Sequence, residues 1–210
     1  IFSTFLVNSE IRKKIKKIKK KKKTLNIKKQ NVLINNLDFS LTNDQKKTMN
    51  EINNDLCSSQ KMFRLLQGDV GSGKTIVSLI GALNTINSGF QVAFMAPTEI
   101  LARQHFNLAK KIYPNNIRIN LVSGKSDLKK KRETINNLSK HKIDIIFGTH
   151  AIFQKKVIFK KLGLIIIDEQ HKFGVNQRKK LSEKGGNDCD VLLMTATPIP
   201  RTLTMTIYGD

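Results

Sequence analysis

The chain has 210 residues, with 38 Lys or Arg against 16 Asp or Glu and a net charge of +22, enough for one good core and little more than one domain. No apolar stretch approaches the ~20 residues that span a bilayer, and the short apolar opening precedes a basic run instead of following one, unlike a secretory signal. Cys57 and Cys189 lack C-x-x-C spacing and the four His lack H-E-x-x-H spacing, which speaks against a zinc site or a disulfide framework and makes a reducing cytoplasm the expected setting.

Twelve of the basic residues fall in residues 12–29, which hold no acid; the other 26 face all 16 acidic residues, leaving +10. With or without the run, such a surface favours a polyanion through phosphate neutralisation and counterion release. A coding bias toward Lys, Ile and Asn would produce the same excess, so charge supports a nucleic-acid partner without establishing one. Ile11, Ile15 and Ile18 recur at helical spacing inside the run. They predict a basic helix over 3–23 that packs on a neighbour, lies along nucleic acid or stays solvated. Residues 24–38 show no clear period and read as a linker, so the compact domain is expected to begin near Phe39. Thr42 or Asn43 then caps a helix running to about Leu56, with Met49 and Ile52 on its inner face.

Residues 62–66 form the next strand, and the loop that follows is Gly68-Asp69-Val70-Gly71-Ser72-Gly73-Lys74-Thr75. This is a full G-x-x-x-x-G-K-T phosphate loop in its proper strand–loop–helix context. Its glycines let backbone amides curl around phosphate oxygens, and the following helix, Thr75 to Asn87, adds the positive end of its dipole. Lys74 is placed to reach the β- and γ-phosphates of a nucleotide, and the Thr75 hydroxyl to hold Mg²⁺.

Strands and helices then alternate. A strand over 91–96 is closed by Pro97, and a helix over 99–112 ends before Pro114. A strand over 117–122, a polar helix over 128–138 and a strand over 143–147 follow, the last ending at Gly148-Thr149-His150. The run Leu164-Ile165-Ile166-Ile167 reads as a doubly buried parallel strand. It ends in Asp168-Glu169-Gln170-His171, where adjacent carboxylates cannot serve packing, because a buried unpaired charge costs several kcal/mol. They mark the ligand crevice at the carboxyl ends of the strands and point to metal and water chemistry. The last strand, 191–194, ends in Thr195-Ala196-Thr197. The alternation predicts an α/β domain in three layers, a parallel sheet with helices on both faces.

Taken in order, the strings GDVGSGKT (68–75), MAPTEILARQH (95–105), GTHAIFQ (148–154), LGLIIIDEQHKFGVNQR (162–178) and MTATPIPRTLTMTIYGD (194–210) resemble the motif set of superfamily 2 helicases and translocases. The similarity is greatest to the branch-migration DNA helicases of that superfamily and covers residues 39–210. A transcription-repair coupling factor motor is the nearest competitor. Ser72, Gln170 and the terminal Tyr208-Gly209-Asp210 favour the branch-migration type. RNA helicases of the Asp-Glu-Ala-Asp type fit worse, since they carry alanine at position 170 and aspartate at 171.

The resemblance implies the RecA-like first motor lobe of a protein that hydrolyses ATP with Mg²⁺ to remodel stalled forks and Holliday junctions in DNA repair and recombination. The 210 residues alone are expected to bind nucleotide or DNA without efficient turnover, and a non-catalytic nucleic-acid-binding module is the rival from another class. In the implied motor lobe Gln45 reads the adenine edge, residues 68–75 hold phosphate, Thr75 and Asp168 hold the metal, and Glu169 activates water. Gln170 and His171 signal to a facing lobe. Thr195, Ala196 and Thr197 couple hydrolysis to DNA movement, though the two threonines also suit strand-end caps. The implied DNA contacts are Pro97, Thr98, Arg103, Ser123, Gly124, Thr149 and His150, small or basic residues suited to tracking phosphates without reading sequence. His105 and Phe106 read as helix core. Tyr113 and Tyr208 are too isolated for a base-stacking platform.

The implied partners are branched or forked duplex DNA, with a second motor lobe and an upstream wedge domain on the same polypeptide. The basic run at 12–29 would be the tether to that wedge, and Ile1 and Asp210 read as cuts. The implied location is the bacterial cytoplasm, at the nucleoid, with no membrane partner. Arg201 belongs to this lobe and is not the arginine finger that a second lobe supplies.

Overall fold

The computed structural model describes residues 19–122, 128–154, 156–169 and 185–197. Five helices and six strands alternate through them. They are α1 (Ile27–Asn35), α2 (Asn43–Cys57), β1 (Phe63–Gln67), α3 (Lys74–Asn87), β2 (Gln91–Met95), α4 (Glu99–Ile112), β3 (Ile119–Val122), α5 (Leu128–Ser139), β4 (Ile145–Gly148), β5 (Leu162–Ile167) and β6 (Asp190–Thr195), with a 3₁₀ turn at His150–Phe153. All five strand pairings are parallel, in the order β1-β6-β5-β2-β4-β3.

Side chains alternate across each strand, so the apolar runs feed two cores. Val92, Phe94, Leu164, Ile166, Leu192 and Met194 pack with Ile52, Leu56, Leu79, Ile80 and Leu83 beneath the first four helices. Ala93, Met95, Ile165, Ile167, Val191 and Leu193 pack on the other face with Leu138, Ile152 and Val157. The predicted layers and parallel sheet are therefore present, with strand ends within a few residues of those read from the sequence.

Local chemistry explains the helix starts. Thr42 and Gln45 form a reciprocal capping box on α2: the Thr42 hydroxyl accepts from the Gln45 N–H, and the Gln45 side chain accepts from the Thr42 N–H. Such a box satisfies two amides that a helix start otherwise leaves unpaired. Thr98 caps α4 by accepting from Leu101 N.

The segment before Phe39 departs from expectation. Residues 24–38, read as a linker, contain α1, whose Leu33 is fully buried in the first core and whose Gln30 bonds to Asn53 and Asn84. The expected basic helix lies outside the described residues up to position 18. From Lys19 to Lys23 the chain is not helical: Lys19 bridges antiparallel to Gln60, and Lys20 and Lys23 donate backbone N–H groups to Ser59 O and Leu56 O. A tertiary partner overrides the local period here. Lys20 and Lys23 both insert their ammonium groups beside Asp190, at 2.6 and 2.7 Å, with all three side chains fully enclosed. The end of the run is thus packed beneath the amino ends of the strands, and these two lysines are shielded from any polyanion.

Candidate active site

The carboxyl ends of the strands form a single edge, and the strand order arranges it in two halves. The loops after β1, β6 and β5 stand together at one side, those after β2, β4 and β3 at the other.

On the first side the phosphate loop leaves β1 and is tied to the end of β6 by Gly68 N donating to Thr195 O at 3.3 Å. Gly71 and Gly73 adopt φ of +81° and +83°, a left-handed region that costs a residue with a Cβ about 1–2 kcal/mol. Gly73 is also the N-cap of α3, so the loop's amides open onto the amino end of a 14-residue helix. A Cβ at Gly73 would lie 2.3 Å from Gln45 Nε2, which donates to Ser72 O at 2.9 Å. Gln45 thereby serves both the cap of α2 and the wall of the loop. Lys74 Nζ lies across the loop, donating to Gly68 O and Asp69 O at 2.6 and 2.7 Å.

Two strands away, Asp168 and Glu169 follow β5. Asp168 N donates to Met95 O, which holds the end of β5 against β2. The Asp168 carboxylate is largely buried and pairs with His105 Nε2 of α4 at 2.8 Å. Glu169 takes φ of +50°, a left-handed conformation that costs a non-glycine residue about 1–2 kcal/mol. This turn directs its carboxylate to the end of β6, where Oε1 accepts from Ala196 N at 3.3 Å. The Thr195 and Thr197 hydroxyls are 2.8 Å apart, and Thr197 N donates to Thr195 Oγ1. The strand-end motif at 195–197 is therefore joined directly to the carboxylate motif, a contact that spacing alone does not reveal.

The second side gathers the other candidates. Pro97 and Thr98 follow β2, Thr149 and His150 follow β4, and Ala96 N donates to Gly148 O to hold these ends together. Thr98 is occupied as the α4 cap, Thr149 O accepts from Ile152 N, and Arg103 and His150 are exposed. Gly148 permits close packing, since a Cβ there would meet Ile152 at 2.7 Å and Val122 O at 3.0 Å. Ser123, Gly124, Gln170, His171, Arg201 and Tyr208 lie outside the described residues. Tyr113 is buried, its hydroxyl donating to Leu79 O, so it has no part in the edge.

His105 is the site-facing residue that the sequence reading missed. Phe106 packs at the margin of the core, with its ring edge-on to Phe147, as helix core should. His105 is buried too, but its polar atom meets Asp168. The signal was faint: a lone histidine on the inner face of an amphipathic helix is indistinguishable by spacing from a core residue.

The residues fit a magnesium–nucleotide complex. Glycine-permitted amides stand at a helix start, Lys74 lies over the loop, Thr75 is in the first turn of α3, and Asp168 and Glu169 follow β5 on the same edge of the sheet. A phosphate loop after β1, carboxylates after β5 and a threonine pair after β6 on one parallel sheet define the motor lobe of a helicase. The chain belongs to the DEAD/DEAH box helicase family, whose model matches residues 42–206.

Within that family the chain is similar to proteins named ATP-dependent DNA helicase RecG. It is 51% identical to that of Streptococcus pneumoniae serotype 4 over 174 residues, covering 83% of the chain and 26% of the relative. The RecG of Borreliella burgdorferi is also 51% identical, over 179 residues, with 85% and 26% covered. A solved structure of RecG bound to a three-way DNA junction superposes with a TM-score of 0.85 at 41% identity, covering 99% of this chain and 28% of that one. The chain thus spans about a quarter of the length of these relatives. The RecA-like helicase lobe and the branch-migration resemblance expected from the sequence are both upheld.

Proposed function

We propose that this chain is the nucleotide-binding lobe of an ATP-dependent DNA helicase of the RecG kind, which remodels stalled forks and Holliday junctions during repair and recombination. The observation that carries this reading is the single edge on which the phosphate loop, Asp168-Glu169 and Thr195–Thr197 stand beside the row formed by Thr98 and Thr149. The three-way junction bound by the solved RecG supports branched DNA as the substrate. A DNA partner and the free cysteines fit a bacterial cytoplasmic setting at the nucleoid.

In this role Lys74 and the 68–73 amides hold the nucleotide phosphates, while Gln45, at the mouth of the loop, reads the adenine edge by donating and accepting together. Thr75 and Asp168 hold Mg²⁺, whose chemistry when bound is to offset the negative charge that develops on the β- and γ-phosphate oxygens. Glu169 positions and deprotonates the attacking water. Its contact with Ala196 N passes any shift of that carboxylate to Thr195 and Thr197 at the end of β6. Pro97, Thr98, Arg103, Ser123, Gly124, Thr149 and His150 track the phosphates of one strand, with Gln170 and His171 reporting nucleotide state to a facing lobe.

The 210 residues alone bind Mg·ATP without efficient turnover, because this class completes its site with arginines from a second lobe. Titration of the chain with a fluorescent ATP analogue and Mg²⁺ tests the site. Lys74→Ala should weaken binding by about 10-fold or more, the loss of a charge-assisted phosphate contact, whereas Glu169→Gln should bind nearly as well as wild type. Equal binding by Lys74→Ala would refute the nucleotide site, and robust DNA-stimulated hydrolysis by the chain would refute its dependence on a second lobe.

A further inference from the structure

We propose that His105 is a positioning residue for the metal-site carboxylate of Asp168; the role rests on the nucleotide-site reading above and deepens it. His105 Nε2 lies 2.8 Å from Asp168 Oδ2, and both side chains are nearly enclosed, at 11% and 12% exposure. An ionised carboxylate only accepts, so the imidazole N–H is the donor. The ring is not free to turn away. Its centroid is 4.8 Å from that of Phe94, which is fully buried and stacked on Phe147 at 5.1 Å.

Asp168 is held at two points. Its backbone N–H is tied to Met95 O, and one carboxylate oxygen is tied to His105. The bond to His105 fixes the rotation of the carboxylate and commits one oxygen, leaving the other lone pairs for the metal and its waters. Hydrogen-bond partners behind a ligating carboxylate typically change metal affinity by about 10–100-fold. His105 also stands on α4, the helix whose first turn Thr98 caps at the candidate DNA row, so the carboxylate is anchored to an element of the other half of the edge.

The test uses Mg²⁺ titrations of the 210-residue chain with a non-hydrolysable fluorescent ATP analogue, with binding in EDTA as the reference. His105→Gln retains an N–H donor at similar reach, and His105→Leu fills space without one. The Leu variant should raise the Mg²⁺ concentration for half-saturation about 10-fold or more while its affinity in EDTA stays within about twofold of wild type, and the Gln variant should stay within about threefold. Circular dichroism melts establish that each variant is folded. An unchanged Mg²⁺ requirement in the Leu variant overturns the proposal. So does a Gln variant as impaired as Leu, which would make ring packing the cause. A site that needs Lys74 but ignores His105 removes this inference alone; a chain whose nucleotide binding ignores Lys74 removes the reading beneath it.

Discussion

Lys20 Nζ lies 2.6 Å from Asp190 Oδ2 inside the protein, with neither side chain exposed. Lys23 shares that oxygen at 2.7 Å, and the other oxygen of Asp190 accepts from Met62 N. Lys20 also donates to Asp55 O and Leu56 O, and Lys23 to Asp188 O. Burial lowers Lys20 below the ordinary lysine value, against the raising effect of Asp190 beside it. The arrangement fastens the segment that precedes α1 to the start of β6.

Removing the carboxylate should therefore be severe. Asp190→Ala leaves two enclosed cations without a counter-charge and should cost about 3–5 kcal/mol, read as a lower urea midpoint. Replacing all three groups by apolar residues of similar volume (Lys20→Met, Lys23→Met, Asp190→Leu) should recover most of that loss. A midpoint for Asp190→Ala equal to wild type would show that the pair is not enclosed in solution.

The phosphate loop gives a paired comparison. Gly71 and Gly73 share a positive φ, yet a Cβ at Gly71 meets nothing within 4 Å while one at Gly73 meets Gln45. Gly71→Ala should lose only the backbone term, about 1–2 kcal/mol, and Gly73→Ala should lose more and also weaken nucleotide binding. Equal shifts in thermal unfolding would mean that the Gln45–Ser72 contact has no part in shaping the loop.

The two cysteines should differ in reactivity. Cys189 is fully buried, and burial pushes its thiol up to about 12, whereas Cys57 is partly exposed. The thiolate is the reactive form. Ellman's reagent should modify one thiol rapidly in the native chain and two in denaturant. Rapid modification of both in native buffer would contradict the packing at the start of β6.

Asp144 and Arg118 make stability depend on acid pH. Burial acts to raise Asp144, but the Arg118 side chain and N–H, together with its charge, outweigh that effect and hold the carboxyl below its usual 3.8. The unfolded chain therefore takes up this proton first as pH falls. The stabilisation is complete above about 3.8 and is lost as pH drops through the lower folded-state value. Arg118 is half-exposed, so the pair contributes on the order of 1 kcal/mol. The stability gap between wild type and Asp144→Asn in urea melts should narrow between pH 5 and pH 2, within about the range where carboxyls titrate; a constant gap would remove the pair from the account.

Much of this protein is legible in one dimension because its signals are local. Two-sided apolar runs of four to six residues mark buried parallel strands, Thr42 with Gln45 marks a helix start, and the spacing of Gly68, Gly73, Lys74 and Thr75 is itself the geometry of a phosphate cradle. The helix α1 is not legible because Val32, Leu33 and Ile34 are consecutive and show no helical period, and Asn53 and Asn84, the partners of Gln30, are distant in sequence. What required the tertiary structure is every contact between separate strand ends. Nothing in the spacing places the Glu169 carboxylate at Ala196 N, His105 on Asp168, or two lysines of a basic run on Asp190. Such pairings depend on the order in which strands assemble, which brings together residues up to 170 positions apart. The sequence by itself determined the phosphate loop, the carboxylate pair and the layered sheet. Folding decided which side chains meet along the edge, because burial brings together charges that the chain holds far apart and rewards their pairing.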